Sequence, residues 1–328
     1  MRPPLRSGIA AGLLPWAILP VEAATALRPL TKWLAGRLEA VPTANKMPRY
    51  LRGLVEDGEP AWFIKIVSDK ELPAARLEAD LAHSLSTEGV VTPRFAAEIA
   101  LEGDMSAMVF RWIEGAHPTA GAVDFARLGV SLNRLHHAFA NVADRFSIEA
   151  RTTCRLTEME ELAVSGRFEQ RWEGCEHKRF ALEMRDAFLT HLGSMKWESG
   201  AIHGDLNPGN IIQNGDTFAF LDFEDALHSR LWPGLDLAKI IERLILPSIA
   251  EKGRCAATGD LLALLFGYGL NNWPNNSPSI QETVHWHIGL SVLVITQGLP
   301  ANSSVAISEI KKFIKIAEIL KKYNNLLQ

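Results

Sequence analysis

The chain of 328 residues is short of several things, and each shortage closes off a class of explanation. It has three cysteines, Cys154, Cys175 and Cys255, spread far apart. They show no metal-ligand spacing, and their odd count suits a reducing compartment rather than a disulfide framework. It has no excess of basic charge: the formal net charge is −4, which argues against a nucleic-acid binder. It has no internal repeat and no low-complexity tract. No apolar run is long enough to span a bilayer as a helix. The Gly8–Pro20 stretch, preceded by Arg2 and Arg6 and followed by Ala23 and Ala24, has the outline of a signal peptide. Pro15 and Pro20 interrupt it, so the favoured reading is an apolar N-terminal segment packed on the rest of the protein. Hydrophobic content of 47% and charged content of 22% are those of an ordinary globular chain with room for two cores.

What is present concentrates between residues 201 and 240. Ala201-Ile-His-Gly-Asp-Leu-Asn-Pro-Gly-Asn-Ile-Ile212 is followed by Phe220-Leu-Asp-Phe-Glu224. Asp205 and Asn210 stand five apart, and Asn210 and Asp222 twelve apart. A hairpin fills the second gap. Asn210–Gln213 reads as a strand, Asn214-Gly215 is the signal for a tight type I′ turn, and Thr217–Leu221 returns. The turn brings Asp222 back beside Asn210, where both can offer oxygen to one hard cation. One carboxylate near a hydroxyl, plus an amide and a second carboxylate on a metal, is what phosphoryl transfer asks of a protein.

This segment resembles the aminoglycoside phosphotransferase and choline kinase family of small-molecule kinases. His203-Gly204-Asp205 with Asn210 matches the family's loop, Asp222-Phe223-Glu224 its metal-binding triplet, and Asp236-Leu237-Ala238 a later motif. The match is specific from 201 to 240, looser from about 30 to 140, and thin from 245 to 328. The resemblance implies an α+β fold of the protein-kinase type, with a β-rich N-lobe to about residue 112 and a larger helical C-lobe from 113 to 328 carrying the catalytic hairpin. It implies ATP and Mg2+ as cofactors and a cytoplasmic location, where ATP is. Asp205 would accept or orient the proton of the acceptor hydroxyl, and Asn210 and Asp222 would hold metal. His203 and Asp236 would brace the loop.

Other residues follow in order. Ala61-Trp-Phe-Ile-Lys-Ile-Val67 reads as a strand with Lys65 inside an apolar run, where an unpaired ammonium is expensive. Leu72–Leu85 reads as a helix with Pro73 in its first turn and a stripe of Leu77, Leu81 and Leu85. Glu78, thirteen residues after Lys65, is the candidate partner that orients the lysine toward phosphates. The link Pro42–Pro48 should cover the triphosphate but contains no glycine, so Thr43, Asn45 and Lys46 are the candidates for side-chain contact. Ser106–Gly115 reads as the strand entering a hinge, and the resemblance implies adenine on backbone near Arg111 and Ile113.

Two features separate the chain from protein kinases. Gly204 stands where an arginine would meet a phosphorylated loop. Only fourteen positions separate Asp222 from Asp236, too few for a segment that docks a polypeptide. The expected partner is therefore a small hydroxyl-bearing molecule, with no nucleic acid and no membrane. Asp225, Trp232 and Trp273 are candidates to meet it. A nucleotide-binding pseudokinase acting by protein contact is the alternative, supported by the glycine-free link alone. The last helix, about 306 to 323, has an apolar face and a lysine face that reads as solvated.

Overall fold

The computed structural model describes residues 17–18, 27–34, 37–40, 49–54, 58–192, 200–270, 278–299 and 303–322. The chain divides into two compact units. The first comprises Met1–Pro118 with Pro208–Glu224, and the second Thr119–Asn207 with Asp225–Gln328. The hairpin, read from sequence with the helical lobe, is thus compact with the first unit. The Pro42–Pro48 link and most of the apolar N-terminal segment lie outside the described residues.

The first unit is built on an antiparallel sheet. Its strands are β1 (Ala17–Ile18), β2 (Arg37–Ala40), β3 (Tyr50–Leu54), β4 (Pro60–Ser68), β5 (Phe95–Leu101) and β6 (Met105–Arg111), in the order β1-β2-β3-β4-β6-β5. Two helices join it, α1 (Arg28–Leu34) and α2 (Leu72–Thr87). Strand side chains alternate between faces, and here the alternation sorts two cores. Ile64, Ile66, Ala107 and Val109 meet Leu27 and Leu30 beside α1. Val67, Met108 and Phe110 meet Ala75 and Ala79 of α2. Lys65 shares the second face by period, one residue from Ile64 and Ile66.

The face that α2 buries keeps Leu81 and Leu85 of the leucine stripe read from sequence and adds alanines. Ala75, Ala79, Leu81, Ala82 and Leu85 are buried, while Leu77 is only partly so. Alanines let the helix axis approach the sheet closely, and Glu78, between Ala75 and Ala82, is carried in with them. The helix begins after Ser68, whose N–H and Oγ–H both donate to Glu71 Oε2 at 3.0 and 2.8 Å.

The hairpin of the first unit is β7 (Ile211–Asn214) and β8 (Thr217–Phe220), in the register Ile211↔Phe220 to Asn214↔Thr217. Bridges to earlier chain hold each strand. Ala116 and Gln213 exchange N–H···O bonds of 2.9 and 2.8 Å, and Phe220 N–H donates to Val91 C=O at 3.0 Å.

Among its described residues the second unit is helical apart from a short ladder of Gly200–Ala201 with Arg230–Leu231. Its helices are α3 (Phe125–Val142), α4 (Ile148–Val164), α5 (Gly166–Arg171), α6 (Lys178–Leu192), α7 (Gly234–Ile240), α8 (Leu246–Lys252), α9 (Arg254–Tyr268), α10 (Ile280–Gly298) and α11 (Ser304–Lys322). A π-helical turn, Ile241–Ile245, joins α7 to α8. Buried Trp172, Phe168, Phe188 and Trp286 fill its core, and Trp172 Nε1–H reaches Thr296 Oγ1 at 2.9 Å. The capping box at α10 is complete, Ser279 and Glu282 each bonding the other's backbone N–H. No helix among the described residues is long and apolar enough to cross a membrane.

Candidate active site

In the first unit Lys65 lies at the centre of a ring of acids. Its Nζ is 2.9 Å from Glu78 Oε2, 3.5 Å from Glu224 Oε2 and 3.7 Å from Asp222 Oδ1. The lysine side chain is 8% exposed and that of Glu78 12%, so this is an ion pair largely withdrawn from water. Burial alone would lower the Lys65 ammonium, yet Glu78, Asp222 and Glu224 together hold it above its ordinary value. Burial is also the leading influence on Glu78, whose carboxyl is pushed up with Lys65 opposing.

The hairpin supplies the other wall. Leu221 N–H donates to Asn210 C=O at 2.9 Å, continuing the ladder one step past the strands and setting Asp222 next to Asn210. Asp222 has a φ of 59°, the left-handed region that a non-glycine residue seldom occupies. Asn210 is buried. Carboxylate oxygens of Glu78, Asp222 and Glu224 come within 4.8 Å of one another. Every donor here is a hard oxygen, and three carboxylates face one ammonium. That chemistry fits a divalent cation of the Mg2+ type and not a thiolate- or imidazole-seeking metal.

Lys65, Glu78 and Asp222 are also the charged part of the lining of a largely apolar cleft. Phe63, Phe110 and Trp112 line it from the sheet side, and Ile212, Leu221 and Phe223 from the hairpin. Arg111, Ile113 and Gly115 form its edge. Arg111 N–H is spent on Arg94 C=O at 2.9 Å, and Trp112 N–H on Ala61 C=O at 2.9 Å. The Arg111 guanidinium stacks 4.0 Å from the Trp62 ring. The N–H groups of Arg111 and Trp112 are thus engaged within the sheet.

Two further residues build this wall, and sequence reading missed the second. Gly115 has φ 137°, and a Cβ there would fall 2.4 Å from Gln213 O, so only glycine lets the edge lie against β7. His117 Nδ1 lies 2.8 Å from Ile211 O and 3.2 Å from Pro208 O, pinning the same strand. A lone histidine carries no sequence signal for that role.

In the second unit the loop bearing Asp205 is held from α7. Asp236, fully buried, accepts His203 N–H at 2.8 Å and Gly204 N–H at 3.0 Å. It also meets His136 Nε2 at 2.9 Å, and His136 Nδ1 meets Tyr268 Oη at 2.7 Å. Gly204 has φ 81°, and a Cβ there would collide with Ser229 Oγ at 2.3 Å, so no arginine could stand in its place. Asp205 receives Asn207 Nδ2–H on Oδ2 at 2.9 Å and faces Lys239 Nζ from Oδ1 at 3.4 Å. Of the acceptor candidates, Asp225 pairs with Arg155 at 2.7 Å and Trp232 packs over Gly234, while Trp273 lies outside the described residues.

Residues 38–263 match the model of the APH phosphotransferase enzyme family, more than half of the chain. The chain belongs to this family. It is a small-molecule phosphotransferase, and solved structures agree on the fold at low sequence identity. An aminoglycoside phosphotransferase of the 2″ class, solved with GDP and kanamycin, is 14% identical with a TM-score of 0.61, covering 90% of this chain and 99% of its own. Amicoumacin kinase with AMP-PNP, Ca2+ and its antibiotic is 15% identical, TM-score 0.52, covering 84% of this chain and 85% of its own. An aminoglycoside phosphotransferase of Streptomyces rimosus is 18% identical, TM-score 0.51, covering 82% and 96%. No curated protein matches this phosphotransferase in sequence.

Proposed function

We propose that the chain transfers the γ-phosphate of ATP to a hydroxyl of a small molecule, with Mg2+, in the cytoplasm. The observation that carries the proposal is the Lys65 site: a buried ammonium, ringed by three carboxylates, in the lining of a largely apolar cleft. A nucleotide has the matching parts, a flat apolar base and anionic phosphates. In this reading Lys65 meets phosphate oxygens and Glu78 keeps it aimed. Asn210 and Asp222 hold the metal, with Glu224 beside them. When bound, Mg2+ supplies positive charge to the phosphates. Ile113 is the backbone donor to the base, since the Arg111 N–H is already bonded.

Asp205 orients the acceptor hydroxyl and takes up its proton as the oxygen bonds to phosphorus and the bond to the β-phosphate breaks, leaving ADP. The acceptor class is a small hydroxyl-bearing molecule. Relatives were solved with kanamycin and with amicoumacin, and a panel of such hydroxylated antibiotics, amino alcohols and sugars is the first screen.

The test is Asp205→Asn. Its expected effect is an unchanged ATP affinity with phosphorylation of the screened acceptor down by about 10²–10⁴-fold, the span of a positioned general base. A variant as active as wild type would sink the mechanism. A wild-type protein that binds ATP and phosphorylates nothing in the panel would favour the contact-acting pseudokinase.

A further inference from the structure

We propose that Lys239 is the positioning residue of Asp205, a buried cation that fixes the carboxylate which meets the acceptor hydroxyl. The inference rests on the reading of Asp205 just given. Every residue of α7 is buried, and its two charges, Asp236 and Lys239, are three apart and so share a face. Asp236 grips the backbone of the loop at His203 and Gly204. Lys239, one turn on, grips the carboxylate of Asp205. Asn207 completes the hold from the other oxygen. Asp205 is thus fixed at both oxygens, while its side chain remains 36% exposed and open to a substrate.

The charges around Lys239 explain why it stays in a buried position. Asp205 faces it from the loop, and Glu242, fully buried on the π-helical turn, also feels its charge. Glu242 is in turn paired with Arg243 at 2.9 Å and with His287 of α10 at 3.2 Å, and Arg243 reaches Glu309 of α11 at 2.8 Å. His203, His287 and Arg243 are further titratable groups that interact with Asp205. A buried ammonium is costly without partners. Here its partner is the residue whose orientation decides the chemistry.

The consequence for the reaction is one of geometry and charge. Partial burial favours the neutral form of Asp205, but Lys239 first, and His203 after it, hold the carboxyl below its ordinary value. The group is anionic at working pH and accepts a hydrogen bond from the hydroxyl in a fixed direction. Proton uptake then comes late, as suits a loose phosphoryl transition state. Removing the cation frees the carboxylate to rotate and raises its affinity for a proton.

The experiment labels aspartate carboxyl carbons with 13C and assigns Asp205 by the resonance lost in Asp205→Asn. Its titration midpoint is followed in wild type, Lys239→Met and Lys239→Arg, with thermal melting as the check on folding. MgATP turnover is measured alongside, with water as the acceptor. The expected midpoint rises by about one pH unit or more in Lys239→Met, the effect of losing an opposite charge at this distance, and returns in Lys239→Arg. Turnover is expected to fall about tenfold or more in Lys239→Met, with ATP affinity unchanged and partial rescue by arginine. An unmoved midpoint in a folded Lys239→Met protein overturns the inference. A moved midpoint with full turnover in Asp205→Asn would instead overturn the role of Asp205, and with it any function for the clamp.

Discussion

Lys65 Nζ and Glu78 Oε2 lie 2.9 Å apart, thirteen residues apart in sequence and on different elements, with neither side chain more than 12% exposed. The strand's alternation turns the lysine to the α2 face, and an alanine-faced helix brings the glutamate down to meet it. A pair this withdrawn from water is costly to break on one side only. Glu78→Gln should leave the fold intact, keeping a neutral hydrogen-bonding partner, and weaken ATP binding by about 10–100-fold, the worth of a charge-assisted hydrogen bond. Lys65→Met should lose at least as much. Isothermal titration with MgATP reads both, and wild-type affinity in either would remove the lysine from the phosphate site.

Asp222 and Asn210 are joined by the ladder step from Leu221 to Asn210. For wild type, ATP affinity is expected to rise when Mg2+ is added. For Asp222→Ala that gain should vanish while metal-free nucleotide binding persists, because the apolar cleft is untouched. Equal Mg2+ dependence in both proteins would exclude Asp222 as a ligand.

Gly115 is expected to tolerate no side chain. Gly115→Ala places Cβ against Gln213 O and asks alanine to hold φ 137°. The strain should cost about 1–3 kcal/mol, seen as a lower denaturant midpoint. Faster amide exchange at Ala116 and Gln213, whose mutual bonds would lengthen, should accompany it. Unchanged stability would mean that the edge of the cleft is not pinned to β7.

Asp236 gives the acid limit of stability. Burial opposes its charge, but His136 and the His203 N–H hold its carboxyl below the ordinary aspartate value. A carboxyl lowered in the folded state stabilises the fold fully above its unfolded value and loses that contribution as pH falls through the folded one. Asp236→Asn should therefore be less stable at neutral pH, by about 3 kcal/mol, and should lose less stability than wild type between about pH 5 and 3. Urea denaturation across that range measures both. A slope identical to that of wild type would contradict the assignment. Asp205 and Glu242, lowered as well, keep the slope from vanishing.

By itself the sequence determined what depends on short range. The Asn214-Gly215 pair signals a tight hairpin; the structure makes it one residue later, on Gly215 and Asp216 with Asn214 paired to Thr217, because Asn214 keeps a negative φ and only Gly215 takes a positive one, and the hairpin still returns Asp222 to Asn210. The apolar run around Lys65 demands a partner, and a helix thirteen residues on offers one in Glu78. Tertiary structure decided what depends on distant chain. It added Ala75, Ala79 and Ala82 to Leu81 and Leu85 on the buried face of α2 and left Leu77 half-buried, because small side chains let the helix lie close to the sheet. It placed His117 on the Ile211 carbonyl and made Gly115 obligatory through Gln213, contacts across about a hundred positions that leave no periodic trace. Lys239 lies between these cases. Asp236 and Lys239 are the two charges in a helix otherwise apolar all round, so burial and pairing of both could have been read from sequence. That Asp205 is the partner could not, because only folding brings α7 against that loop and sets one turn of helix to match the step from backbone to carboxylate.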